Sequence, residues 1–365
     1  RDPEMSRGLG DVYKRQVIYR QEGSKMAKIL IVLTGGTIGS ISNGEIIDVD
    51  EKASLLLIDK YCEKYGKGDD FTLVQPLNIA SENLEPKHWE TMINFIFEYN
   101  INGFDGIIIT HGSDTLSYSS AMLSMCLCHL PIPIVLIASN YIVLDERSNA
   151  LNNFRSAVSI IKCFSRGAFT VFGDRIGKSR VFLPTRILEA DGLTDTFQSF
   201  GGKELGFVNG EKFEFTELSI NPTKAEIESP RKPILNGKLK LNKKVVFIRP
   251  YPGLDFSKIA IGEDTGAVLL MTYHSSTTRT AGKGSVLTLI ENCHKRGIDV
   301  YCTPCKNKNE HYKSSAELIK AGCLPIYSTS PESSYAKLLL ACNTNINLLN
   351  HNIYFETVSH HCQDN

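Results

Sequence analysis

Neither sign of charge is in excess in this chain. Lys and Arg total 40, Asp and Glu total 40, and the net charge is zero. Nucleic-acid and anionic-membrane partners call for a basic footprint, so the balance argues against both. No apolar run approaches the about 18 residues that would suggest a membrane span. Internal repeats and low-complexity segments are absent too. Ten cysteines are scattered through 365 residues with no secretory signal, which reads as reduced thiols in cytoplasm. Cys302-Thr303-Pro304-Cys305 is a lone CxxC without a second pair. It is weak as a zinc site and reads as two loop cysteines after a strand. No ligand cluster or cofactor motif stands out, so neither metal nor cofactor is expected.

What is present is a hydrophobic content of 42% in a chain long enough for two domains. Residues 1–25 lack apolar periodicity and look like translated read-through, so Met26 is expected to be the native start. After it, apolar strands alternate with helical stretches. Strands are expected at 28–34, 106–110, 133–137 and 168–173, and helices at 51–59, 85–100, 115–127 and 152–163. Strands buried on both faces and joined by helices imply a three-layer αβα unit with a mostly parallel sheet over 26–215. Residues 216–243 are charged, with three prolines, and read as a connection. The alternation resumes over 244–347 as a smaller C-terminal α/β domain, and the polar tail 348–365 is expected to be loosely held.

Two strands end in small, hydroxyl-rich turns: Thr34-Gly35-Gly36-Thr37 and Thr110-His111-Gly112-Ser113-Asp114-Thr115. In an open parallel sheet, ligands collect at the carboxyl ends of strands. Glycines there allow close approach of backbone to ligand, and the hydroxyls can face a site. TGGT fits neither GxxxxGK[ST] nor GxGxxG, so nucleotide binding is disfavoured. Ser113-Asp114 reads equally as an N-cap for the helix beginning at Thr115. His111 reads better as a hydrogen-bonded rim histidine than as a base.

Taken together, TGGTIGS and ITHGSDTLSYSS resemble the L-asparaginase family in its cytoplasmic (type I) form. SENLEPKHW (81–89), ERSNALNNF (146–154), TRILEADGLTDTFQSF (185–200), IRPYPG (248–253) and SPESSYAKLLLA (330–341) are similar to further segments of that family. The likeness covers about 28–342. It implies hydrolysis of a side-chain amide to acid and ammonia, without a cofactor, on a small-molecule amide, by a homodimer or homotetramer. Thr37 falls at the nucleophile position, and an unassisted hydroxyl needs a proton acceptor and oxyanion donors. Backbone N–H groups around Gly36 and Gly112 would be natural donors. Ser113 and Asp114 fall where the family has a hydroxyl and the carboxylate that holds the substrate's α-ammonium. Ser81 would meet the α-carboxylate, beside Glu82, where some relatives have Gln.

Two departures stand out. Arg186 falls where the family has a Lys bonded to that Asp, and Lys178 could reach in instead. Arg can pair with Asp114 but cannot shuttle a proton. No Tyr occurs in 38–60, where the family carries one on a mobile loop, and Tyr61 is expected to be structural. The resemblance leaves two alternatives: a relative that binds without turnover, and the ammonia-generating subunit of a transfer-RNA amidotransferase. That subunit usually carries a further domain ahead of TGG, whereas the first strand is expected almost directly after Met26.

Overall fold

Ile29 to Leu33 are apolar without a break because the strand they form is covered on both faces, each residue being 6% exposed or less. The computed structural model describes residues 16–17, 26–36, 38, 40–43, 46–49, 51–66, 68–173, 177–306 and 312–358. Its first half runs β1 (Gln16–Val17), β2 (Lys28–Leu33), a hairpin of β3 (Ser40–Asn43) and β4 (Ile46–Val49), α1 (Glu51–Tyr65), β5 (Asp70–Val74), α2 (Pro86–Glu98), β6 (Gly106–Thr110), α3 (Leu116–Leu127), β7 (Pro133–Ile137), α4 (Ala150–Cys163) and β8 (Gly167–Gly173). Then follow β9 (Ser179–Phe182), β10 (Gly206–Asn209), β11 (Lys212–Phe215) and the short α5 (Lys224–Glu228). The second half has β12 (Lys244–Ile248), β13 (Thr265–Met271), α6 (Val286–His294), β14 (Asp299–Cys305), α7 (Lys313–Lys320), β15 (Leu324–Tyr327) and α8 (Pro331–Asn343).

The larger sheet has the order β1-β5-β2-β6-β7-β8-β9-β10-β11. Its centre, β5 through β8, is parallel, and β1, β9, β10 and β11 extend it antiparallel. α1 packs beside α4, and α2 beside α3. Trp89 on α2 donates to Ser119 Oγ on α3 at 2.8 Å, satisfying a buried indole N–H. The smaller sheet, β12-β13-β14-β15, is wholly parallel. α8 packs against both α3 and the smaller sheet, so nearly all of its residues are buried. The fold is thus α/β, with a large, mostly parallel sheet and a second, smaller parallel one.

The sequence expectations place the core strands and helices within about two residues at most boundaries, the usual scatter of helix ends. They do not foresee β5, the β3–β4 hairpin, β9, β10, β11 or β15, strands of four or five residues each. The charged segment 216–243 contains α5, whose Thr223 and Glu226 form a reciprocal capping box. The expected loose tail is corrected for residues 348–358; residues 359–365 lie outside the described residues. Tyr354 and Glu356 are 0% exposed and Val358 is 1%. Tyr354 Oη donates to the Ala168 carbonyl at 3.0 Å, and Thr185 Oγ1 donates to the Tyr354 carbonyl at 2.7 Å. The loop-cysteine reading is corrected as well. Cys302 and Cys305 are residues of β14, buried in the smaller sheet's core with their sulfurs 3.4 Å apart.

Candidate active site

β2 and β6 are neighbours, so their following turns leave the same rim of the sheet side by side. Thr34 Oγ1 donates to the Thr110 carbonyl at 2.6 Å, locking the strand ends together. Gly35 and Gly36 both take positive φ, 95° and 75°, a region closed to most side chains. The bend carries the chain against a third segment. Ile79 N–H donates to the Thr34 carbonyl at 3.0 Å, and Gly36 N–H donates to the Ile79 carbonyl at 3.1 Å. A Cβ on Gly36 would lie 2.5 Å from Gly112 Cα, and one on Gly112 would lie 2.5 Å from Ser81 Cβ. Glycine is therefore the residue that lets these three segments touch.

Ser81 is buried, and its hydroxyl donates to Asp114 Oδ2 at 3.3 Å. Thr115 Oγ1 donates to the Ser81 carbonyl at 3.0 Å. The N-cap reading of Ser113-Asp114 is corrected: Thr115 occupies the cap of α3, and the Asp114 carboxylate is turned to Ser81 instead. His111 is buried, its Nδ1 donating to the Gly112 carbonyl at 2.8 Å. Burial holds its pKa below the usual histidine value, so it is a neutral, positioning ring. Ser113 is half-buried and Asp114 exposed, and both open onto a cavity of about 250 Å³. Asn140, Phe172, Glu189 and Asp191 line it too. Asn140 is held there by Asn149, whose Oδ1 accepts its N–H at 3.0 Å. A cavity of about 770 Å³ between Met26, Asp105 and Lys162 lies at the amino ends of the strands, away from these turns.

Of the residues singled out from the sequence, Gly36, Ser81, Gly112, Ser113 and Asp114 stand together. Thr37 lies outside the described residues. Glu82 is exposed on a single 3₁₀ turn beside Ser81. Arg186 is corrected. Its guanidinium is buried, with Nε donating to the Phe355 carbonyl and Nη1 to the Ile220 carbonyl, each at 2.7 Å. Its reach is spent on the chain's C-terminal segment, and it forms no bond with Asp114. Burial lowers its pKa to about 10, so it stays charged at neutral pH. Lys178 pairs with Glu214 at 3.4 Å on the surface. Among the described residues no Lys or Arg makes an ion pair with Asp114. Tyr61 is buried, its hydroxyl donating to Asp69 at 3.3 Å, a structural role as expected. Asn140 and Glu189 were missed. Glu189 lies within the quoted TRILEADG segment, yet its partners are far away in sequence. Among the described residues no group of three or more His, Cys, Asp or Glu is placed to hold a metal ion.

Two glycine-bent, hydroxyl-bearing turns meeting at the carboxyl rim of such a sheet mark the class of asparaginase-like amidohydrolases. The family model "Asparaginase, N-terminal" matches residues 28–220, more than half of the chain. The chain belongs to the asparaginase family. It is 27% identical over 325 residues to an L-asparaginase of Thermococcus kodakarensis, covering 86% of this chain and 92% of the relative. It is 25% identical over 366 residues to a glutamyl-tRNA(Gln) amidotransferase subunit of Methanosphaera stadtmanae, covering 94% of this chain and 78% of that one. In fold it is similar to the thermostable L-asparaginase from Thermococcus kodakarensis, with a TM-score of 0.74 at 24% identity over 91% of this chain and all of the other. L-asparaginase I from Vibrio cholerae superposes with a TM-score of 0.68 at 19% identity, over 92% of this chain and all of the other. No helix among the described residues is long and apolar enough to cross a membrane.

Proposed function

We propose that this protein hydrolyses the side-chain amide of L-asparagine, or of a similar small amide, to the acid and ammonia, with Thr37 as nucleophile. The observation that supports this best is the backbone contact of Gly36 with Gly112 beside the Ser81–Asp114 hydrogen bond. In sequence, Thr37 is the residue after Gly36.

In this reading the Thr37 oxygen adds to the amide carbon, its proton passing to the amide nitrogen, and the carbonyl oxygen becomes an oxyanion met by turn N–H groups. Collapse breaks the C–N bond and releases ammonia, leaving an ester on Thr37. Water then hydrolyses that ester to the acid and restores the hydroxyl. Asp114 takes the substrate's α-ammonium, Ser81 its α-carboxylate, and Ser113 offers the second hydroxyl. No cofactor enters the scheme, and the protein works as a homo-oligomer in the cytoplasm. A second reading, supply of ammonia to transfer-RNA-linked amide formation, is favoured by the relatives named for that amidotransferase.

Ammonia release from a panel of amides, with wild type beside Thr37→Ala, tests the proposal. Release from L-asparagine that disappears in the variant supports it. Undiminished release in the variant, or none from any amide in wild type, overturns it.

A further inference from the structure

Glu189 stands in the wall of the same cavity as Asp114, and five contacts fix it. The N–H of the next residue but one, Asp191, donates to Thr196 O at 2.9 Å, and Leu188 N–H donates to Gln198 O at 2.9 Å, so the strand of loop carrying Glu189 is tied across. Glu189 N–H donates to Glu332 Oε1, at the start of α8, at 3.0 Å. Its carboxylate accepts from Tyr118 Oη at 2.7 Å through Oε1, and pairs with Arg249 Nη2 at 2.9 Å through Oε2. Tyr118 is four residues, about one helical turn, beyond Asp114. α3 and the segment after β12 therefore converge on the Glu189 carboxylate, while α8 holds its backbone N–H.

The Glu189 and Arg249 side chains remain 37% and 49% exposed, and an ion pair so open to water stabilises a fold very little. Its effect is directional. Tyr118 and Arg249 take one lone pair of each oxygen, and a carboxylate has about four such sites, so acceptor capacity remains. No Lys, Arg or His is among the described residues lining the cavity. Asp191 spends Oδ1 on the Leu193 and Thr194 N–H groups of its own turn. Asp195 lines the cavity too, so the field that meets a ligand is negative, and Asp114 and Glu189 bring carboxylates to its wall from separate segments of the chain.

We infer that Glu189 is a specificity-determining residue which, with Asp114, admits carboxamides bearing a free primary ammonium and disfavours ammonium-free analogues of net negative charge. This rests on the amidohydrolase reading. Like charge in a confined, partly desolvated space repels such analogues, whereas an ammonium gains from both carboxylates. The acid product carries one more negative charge than its amide, so the same field favours its departure.

The test compares L-asparagine with succinamic acid, which keeps the carboxamide and carboxylate but lacks the ammonium. Full-length wild type and Glu189→Gln are assayed for kcat and KM, and binding of both compounds is measured by calorimetry. The glutamine can still accept from Tyr118, so the wall keeps its shape. The expected result is a KM for L-asparagine raised about tenfold in E189Q with kcat nearly unchanged, and a KM for succinamic acid unchanged or lowered. Arg249→Met, which leaves the carboxylate without its counter-charge, should keep or widen the wild-type preference, and it carries the test if E189Q does not fold. An unchanged preference ratio in E189Q, or a loss of preference in R249M, overturns the inference. If wild type releases ammonia from no amide of the panel, the hydrolase reading fails by itself, and the binding ratio still decides the role of Glu189.

Discussion

Gly36 and Gly112 touch backbone to backbone: a methyl group on the first would lie 2.5 Å from the Cα of the second. They stand 76 positions apart in sequence, yet this contact joins the two turns on which the proposed chemistry depends.

Two substitutions separate its structural and chemical sides. Gly36→Ala combines a left-handed φ with a backbone clash, so we expect a loss of about 2–3 kcal/mol in stability, read by denaturant melts. Gly112→Ala presses on the Ser81 side chain instead. Displacing the Ser81–Asp114 pair by about 1 Å should lower ammonia release about a hundredfold while the melt moves much less.

Arg186 is expected to matter for folding and not for turnover. Arg186→Met removes two 2.7 Å bonds and leaves the Phe355 and Ile220 carbonyls without that donor. A loss of about 2–4 kcal/mol should follow, while ammonia release per folded molecule stays within a few-fold of wild type. A properly folded variant with release abolished would return Arg186 to the site.

Lys337 and Glu356 form a buried pair at 2.8 Å, with side chains 5% and 0% exposed. Glu356 also accepts the Ile353 and Tyr354 N–H groups, each at 2.8 Å. Lys337→Met alone leaves a buried carboxylate uncompensated and should cost about 3–5 kcal/mol. Lys337→Met with Glu356→Gln should cost clearly less, since the amide oxygen can still accept an N–H and carries no charge. Equal losses for the two would argue that packing, not charge, dominates.

Glu332 gives a pH dependence of definite sign. Burial, helped by the Glu189 carboxylate, raises its pKa above the usual 4.5, and its Oε2 has no hydrogen-bond partner among the described residues. The folded state therefore holds the proton more tightly than the unfolded one. Its contribution is favourable below about pH 4.5 and declines as pH rises through the folded-state pKa. Glu332→Gln should melt close to wild type at pH 4 and above it at pH 8. A gap that fails to widen with pH would contradict the raised pKa.

The centre of the larger sheet was legible because β6 and β7 are short runs of apolar residues, and only burial on both faces accounts for such runs. The meeting of the two turns was legible because glycines and hydroxyls cluster after strands. Arg186 was misread for a reason spacing cannot cure. Sequence position gives a residue's address, whereas the direction of a buried side chain is set by what surrounds it, here Ile220 and Phe355. The C-terminal segment looked loose because its anchors, Tyr354, Glu356 and Val358, are single residues without periodicity. Glu189 gave no local signal, since Tyr118 and Arg249 are 71 and 60 positions distant.

The bonds from Thr185, Arg186 and Ala168 to residues 354–355 also set a timetable for biosynthesis. A ribosome releases β8 and the segment after β9 long before Tyr354 leaves the exit tunnel. Until then those donors and acceptors are met by water, and the outer part of the larger sheet stays unlatched. Closure of so long a loop is slow, which leaves the nascent chain exposed to chaperones until its last strap is drawn in.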